Sequence, residues 1–129
     1  MRYLPVIVLI FFLTSCEQSV IGEPPKTFTM EQNFPNPFTD TTVILYGVPA
    51  VTSGSGPWVR IEVKDRFNQT IATLVNRYNH DAGQFRIVWN GKDNNYSTVQ
   101  SGIYYIELQE AIFGKTEVTV HIRKVAVKQ

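Results

Sequence analysis

The sequence predicts an all-β protein, an antiparallel β-sandwich of six or seven short strands, and three observations predict it. Apolar and polar residues alternate over several short windows, which is the period of a strand with one buried face. Turn-forming residues punctuate those windows at hairpin spacing. No window of helical length carries a clean 3.6-residue period.

The clearest strand is Val59 to Asp65, where Val59, Ile61 and Val63 alternate with Arg60, Glu62 and Lys64. Gln84 to Trp89 repeats the pattern, with Phe85, Ile87 and Trp89 on one face. Gly102 to Glu110 places Tyr104, Ile106 and Leu108 together, and Glu117 to Ile122 does the same for Val118, Val120 and Ile122. Thr41 to Val48 and Gln69 to Val75 are apolar on both faces, as central or doubly covered strands are. Thr27 to Gln32 is a weaker first strand.

In the last strand the apolar phase passes from Val118, Val120 and Ile122 to Val125 and Val127 across Arg123-Lys124. One extra residue produces such a switch, so a β-bulge is predicted there. Asn68, within Phe67-Asn68-Gln69, suits the left-handed conformation of a tight turn. Pro35 and Pro37 fix φ and lack donors, so Asn33 to Phe38 is expected to cross between strands, with Phe34 and Phe38 as core plugs. Trp89 is the expected large core residue. Gly83 and Gly102 are expected at turns or close contacts.

Candidate chemistry is sparse. No Gly-rich phosphate loop, cysteine cluster or H-E-x-x-H pattern is present. His80 falls in a loop and His121 on the outward phase of the last strand, and neither has partners at catalytic spacing. Asp93-Asn94-Asn95, with Asp81 or Asp40, offers the oxygen ligands Ca²⁺ takes, and a solvated turn accounts for the same residues. Trp58, Tyr96 and Tyr105 are read as core or partly buried residues, with a sugar-stacking platform on an open face as the alternative. The expectation is a non-enzymatic protein without metal or cofactor.

The first sixteen residues have their own organisation. Arg2 precedes an apolar run, Leu4 to Leu13, which is shorter than the roughly 20 residues needed to span a bilayer core. Small residues follow, and then Cys16, the sole cysteine. Leu13-Thr14-Ser15-Cys16 resembles the lipobox that closes bacterial lipoprotein signal peptides. The resemblance implies removal of residues 1–15 and acylation of Cys16, whose several chains together anchor stably. It also implies a Gram-negative envelope protein. Glu17, standing where inner-membrane retention is associated with Asp, favours the outer membrane. Residues 16–26, with Gly22, Pro24 and Pro25, then read as a stiff tether and 27–129 as the sandwich. Removing residues 1–15 takes Arg2 and no acid from the 12 basic and 11 acidic residues, leaving 11 of each. That balance carries no electrostatic footprint for nucleic acid.

The order of landmarks within the sandwich also resembles a known family. Gln32-Asn33-Phe34-Pro35-Asn36-Pro37-Phe38 precedes Thr41-Thr42 and a strand ending Val48-Pro49. Ala82-Gly83, Trp89-Asn90-Gly91-Lys92-Asp93 and Ser101-Gly102-Ile103-Tyr104-Tyr105 follow, and the chain closes Arg123-Lys124-Val125-Ala126-Val127-Lys128. Together these are similar to the C-terminal sorting domain (type A) of type IX secretion cargo and to the Ig-like domain of flagellar hook-cap (FlgD-type) proteins. Three features depart from that pattern: Asn68 and Tyr96 stand near positions usually held by Gly, and no large passenger precedes the domain. The resemblance implies an Ig-like sandwich whose partners are secretion or surface-assembly proteins, with Lys124 in the recognition ending.

Overall fold

The computed structural model describes residues 19–52 and 54–129. Residues 1–15, Cys16 and the lipobox lie outside them. The described residues form eight strands in chain order: β1 (Ser19–Gly22), β2 (Thr29–Met30), β3 (Thr42–Val48), β4 (Trp58–Lys64), β5 (Thr70–Arg77), β6 (Gly83–Trp89), β7 (Gly102–Ala111) and β8 (Thr119–Val127). They pair antiparallel in two four-stranded sheets, β1-β6-β3-β2 and β5-β4-β7-β8. The all-β sandwich expected from the alternation is the observed architecture.

The alternating windows fold as read. Val59, Ile61 and Val63 on β4 face the interior, as do Phe85, Ile87 and Trp89 on β6 and Ile106 and Leu108 on β7. β3 is a central strand between β6 and β2, which explains its continuous apolar run. The eighth strand, β1, lies in the segment read as a tether, where Ser19–Gly22 pair with β6. The next residues also pack on the sandwich. A Cβ on Gly47 would come within 2.6 Å of Pro25 Cγ and Thr29 Oγ1, so only glycine lets this segment cross β3.

Three sequence expectations fail, each for a geometric reason. β5 is an edge strand, and its apolarity on both faces comes from register shifts against β4 that skip Leu74 and Ile71. Each bulge moves the next residue to the other face, so Ala72 and Val75 are buried while Ile71 and Leu74 pack at the core margin. In contrast, β8 pairs with β7 without a shift from Thr119 to Val127, so the predicted bulge at Arg123-Lys124 is absent. Val125 and Val127 are the inward set, and Val118, Val120 and Ile122 are exposed on the outer face. Phe34 is exposed: its backbone bridges Val43, which sends Asn33 inward and the ring outward.

Several polar groups in the interior are hydrogen-bonded. Asn33 Nδ2 donates to Thr42 Oγ1 at 2.8 Å, and that hydroxyl donates to Pro35 O at 2.8 Å. His80 lies in the loop between β5 and β6, as read, but its side chain is buried. Its Nδ1–H donates to Asp81 O at 2.7 Å, which leaves Nε2 to accept from the Tyr46 hydroxyl at 3.0 Å. The imidazole edge also meets Phe85, with ring centroids 4.7 Å apart.

Burial pushes the His80 pKa below the ordinary imidazole value, against the opposing bond to Asp81. Such a group binds its proton more readily in the unfolded chain. Its stability contribution is therefore complete above the unfolded value of about 6.5 and is lost as pH falls through it toward the lower folded value. Urea midpoints should decline on acidification from about pH 7.5 to 5.5, and His80→Gln should flatten that decline relative to the parent. Trp89→Ala should lower unfolding free energy by about 3–5 kcal/mol in the same titration, because its cavity lies at the centre of the core.

Candidate functional site

Most residues singled out by family resemblance converge at the join between the two sheets; Gly83 does not, lying at the far end of β6 opposite Val48. Asn33–Phe38 forms a strap. Its start is held on the first sheet by the antiparallel Phe34–Val43 bridge, and its end on the second by the parallel Phe38–Val127 bridge. Pro35 and Pro37 follow cis peptide bonds. The Phe38 ring enters the core and meets Trp89 edge-on at 5.3 Å, and Trp89 meets Tyr104 at 5.9 Å. Trp89 Nε1 donates to Lys92 O at 2.9 Å, satisfying the one polar atom of that buried ring. The Tyr104 hydroxyl donates to Gln100 O at 2.8 Å.

Asn36 fastens the strap to β8. Its Oδ1 accepts from Ala126 N at 2.8 Å and its Nδ2 donates to Lys124 O at 3.3 Å. Gln32 Nε2 donates to the same carbonyl at 2.8 Å. Phe38 N donates to Ala126 O and Lys128 N to Phe38 O, at 3.1 and 2.9 Å. The Lys124 side chain remains exposed beside this latch. Gly83 and Gly102, with φ of +150° and +156°, hold a conformation that side chains disfavour.

Of the proposed turn ligands, Asp93 Oδ1 accepts from Asn95 N and Ser97 N at 2.9 Å each. Asn94 Oδ1 accepts from Thr73 N at 2.9 Å and ties the loop to β5. These bonds define a self-bonded turn. Asp81 lies 3.9 Å from Arg77. Among the described residues no group of three His, Cys, Asp or Glu side chains is placed to hold a metal ion. Among them also, no helix is long and apolar enough to cross a membrane.

The proposed aromatic trio is dispersed. Trp58 and Tyr105 sit opposite Ala111 and Lys64, at the two ends of the β4–β7 ladder, about 20 Å apart at strand rise. Tyr96, at φ +63°, lines a different groove with Trp89, Asp93 and Lys92. A different trio shares one opening at the far end: Trp58, Tyr78 and Phe113 line a groove of about 440 Å³. Trp58 is fixed there by Nε1 donating to Asn76 Oδ1 at 2.9 Å, and its ring lies 6.3 Å from that of Tyr78. The alternation patterns could not bring Tyr78 and Phe113 to Trp58, because both lie in connections.

Two polar clusters also escaped the sequence reading. On the outer face of the second sheet, Glu62 Oε1 lies 2.7 Å from Arg60 Nε, and Glu62 Oε2 accepts from Thr70 Oγ1 at 2.7 Å. Lys64 Nζ lies 3.0 Å from Glu107 Oε2, and Gln109 bridges the two acids. Facing the interior, Glu110 Oε2 lies 3.5 Å from His121 Nε2. Burial raises the Glu110 pKa, with His121 acting against it. His121 is thus on the inward phase of β8, not the outward one. The alternating charges of β4 and the acids of β7 are visible in the sequence, but the register that pairs them is not.

Compared with known proteins, the chain matches no family model and no curated protein sequence.

Asn36→Ala should free the edge of β8 without removing core volume. Amide exchange at Ala126 and Lys128 should accelerate, and stability should fall by about 1–2 kcal/mol. Unchanged protection would show that the Phe38 bridge alone holds the strap.

Proposed function

We propose that this chain is a non-enzymatic lipoprotein of a Gram-negative envelope, anchored through acylated Cys16, whose sandwich is an interaction or sorting module. The observation that carries the proposal is the lipobox-like Leu13-Thr14-Ser15-Cys16, closing a short apolar run at the sole cysteine. β1 sharpens it. Only Glu17 and Gln18 separate Cys16 from Ser19, a reach of about 10 Å even when extended. The anchored domain therefore sits against the bilayer surface, with the exposed Val20 and Ile21 of β1 beside the anchor.

The type IX sorting-domain resemblance supports secretion or surface-assembly proteins as partners. The latch of Asn36 and Phe38 on β8 joins two of its motifs, the Pro35-Asn36-Pro37-Phe38 crossing and the basic ending with Lys124. The outer membrane is the favoured location. A second reading, a carbohydrate-binding surface module, draws on the groove of Trp58, Tyr78 and Phe113, since flat exposed aromatics stack on sugar rings. Glycan-array binding lost in Trp58→Ala would favour it over protein contact.

Mass spectrometry of the mature amino-terminal peptide should find Cys16 carrying a diacylglyceryl and an acyl group. Cys16→Ser should leave the membrane fraction changed and the leader uncleaved; a bare thiol on the parent refutes the anchor. A reporter fused ahead of residues 19–129, so that β1 is retained, should reach the surface of a type IX-competent strain if the domain sorts. Periplasmic retention of the reporter refutes sorting and leaves the anchor standing.

A further inference from the structure

Edge strands expose unpaired backbone groups, and this protein blunts nearly all of them. β1 and β2 are only four and two residues long. β5 is bulged, and Asn94 covers it through Asn94 N donating to Ile71 O and Thr73 N donating to Asn94 Oδ1. The C-terminal half of β8 lies under the strap, through Lys124, Ala126 and Lys128. The other half of β8 has no such cover among the described residues.

The bonds to the strap fix which backbone groups point outward. Lys124 O, Ala126 N, Ala126 O and Lys128 N all face away from β7. The β7–β8 register is uninterrupted, so Val120 and Ile122 present their N–H and C=O groups to the same side. Ile122 O is met by Arg123 Nη1 at 2.8 Å; Val120 has no such partner among the described residues. On the outer face the same stretch exposes Val118, Val120 and Ile122 by 53%, 47% and 51%.

We infer that this stretch is the docking edge for a second copy of the chain, paired antiparallel about a twofold axis at Val120. The sequence is self-complementary in that register and in no neighbouring one. Val120 meets Val120, and Val118 meets Ile122 of the other copy twice over. On the opposite phase Glu117 meets Arg123 of the other copy, also twice, so both pairs join opposite charges. Shifting the centre by one or two residues unpairs Glu117 from Arg123. The register also ends where it must, because Thr116 falls opposite Lys124, whose carbonyl Gln32 and Asn36 already occupy. On docking, Arg123 releases Ile122 O to a backbone N–H of the second copy and turns to Glu117. The two second sheets then run on as one sheet of eight strands. Residues 117 and 118 extend β8 to make the pairing, and the free edge disappears. This assembly does not depend on acylation of Cys16.

The test uses the full chain in mild detergent with Cys16→Ser, so that an introduced thiol is the sole one. Paired Val120 positions would bring Cα atoms to about 5.5 Å, within disulfide reach. Val120→Cys should therefore form a disulfide-linked dimer under mild oxidation. Val118→Cys alone should cross-link far more slowly, and mixing it with Ile122→Cys should restore the product. Glu117→Lys and Arg123→Glu should each slow Val120→Cys cross-linking by about tenfold or more, and the double exchange should recover it. A Val120→Cys chain that stays monomeric overturns the inference. So does Val118→Cys cross-linking at the same rate, or a double exchange that fails to rescue.

Discussion

The strap that carries Phe38 into the core is the constraint on which the rest of the molecule depends. Two sheets stacked face to face bury one side each but leave their margins open to water. Here one margin is closed by a single short segment, bonded to β3 at Phe34 and to β8 at Phe38. Its anchor is apolar: Phe38 against Trp89, and Trp89 against Tyr104, three rings from three separate stretches of chain. The prolines pay no penalty in this position, because a crossing segment makes few ladder bonds and misses few donors. The same strap covers half of an edge strand, so packing and edge protection share one device.

The second constraint is polar. The interior takes in Asn33, Thr42, Tyr46 and His80, and each has a stated partner. Unpaired, any one of them would cost about 1–3 kcal/mol. The outer face of the second sheet solves a related problem with charge, where Arg60 and Lys64 neutralise Glu62 and Glu107 under partial cover.

Much of the fold was legible because period-two alternation maps directly onto a half-buried strand. β4, β6 and the inward face of β7 follow from that rule alone. The rule misleads where apolarity has two explanations. In β5, apolar residues on both faces suggested a central strand, but two bulges account for them. In β8, a change of apolar phase suggested a bulge, but the earlier valines and Ile122 simply lie outside. Hydropathy cannot separate a shifted register from an exposed apolar face; the hydrogen-bond ladder does. β1 was illegible for another reason: four residues near two prolines carry too little pattern to distinguish a strand from a spacer.

By itself the sequence determined the class of fold, the strand interiors, Trp89 as the central core residue, and the lone cysteine after a short apolar run. Each of these is set by local composition and by spacing along the chain. Only the tertiary structure decided that Asn36 holds β8, that His80 is sealed against Tyr46, that Tyr78 and Phe113 join Trp58, and that Val120 lies on an open edge. These are contacts between segments distant in sequence. Their geometry follows from which strands pair and in what register, and no local pattern encodes that.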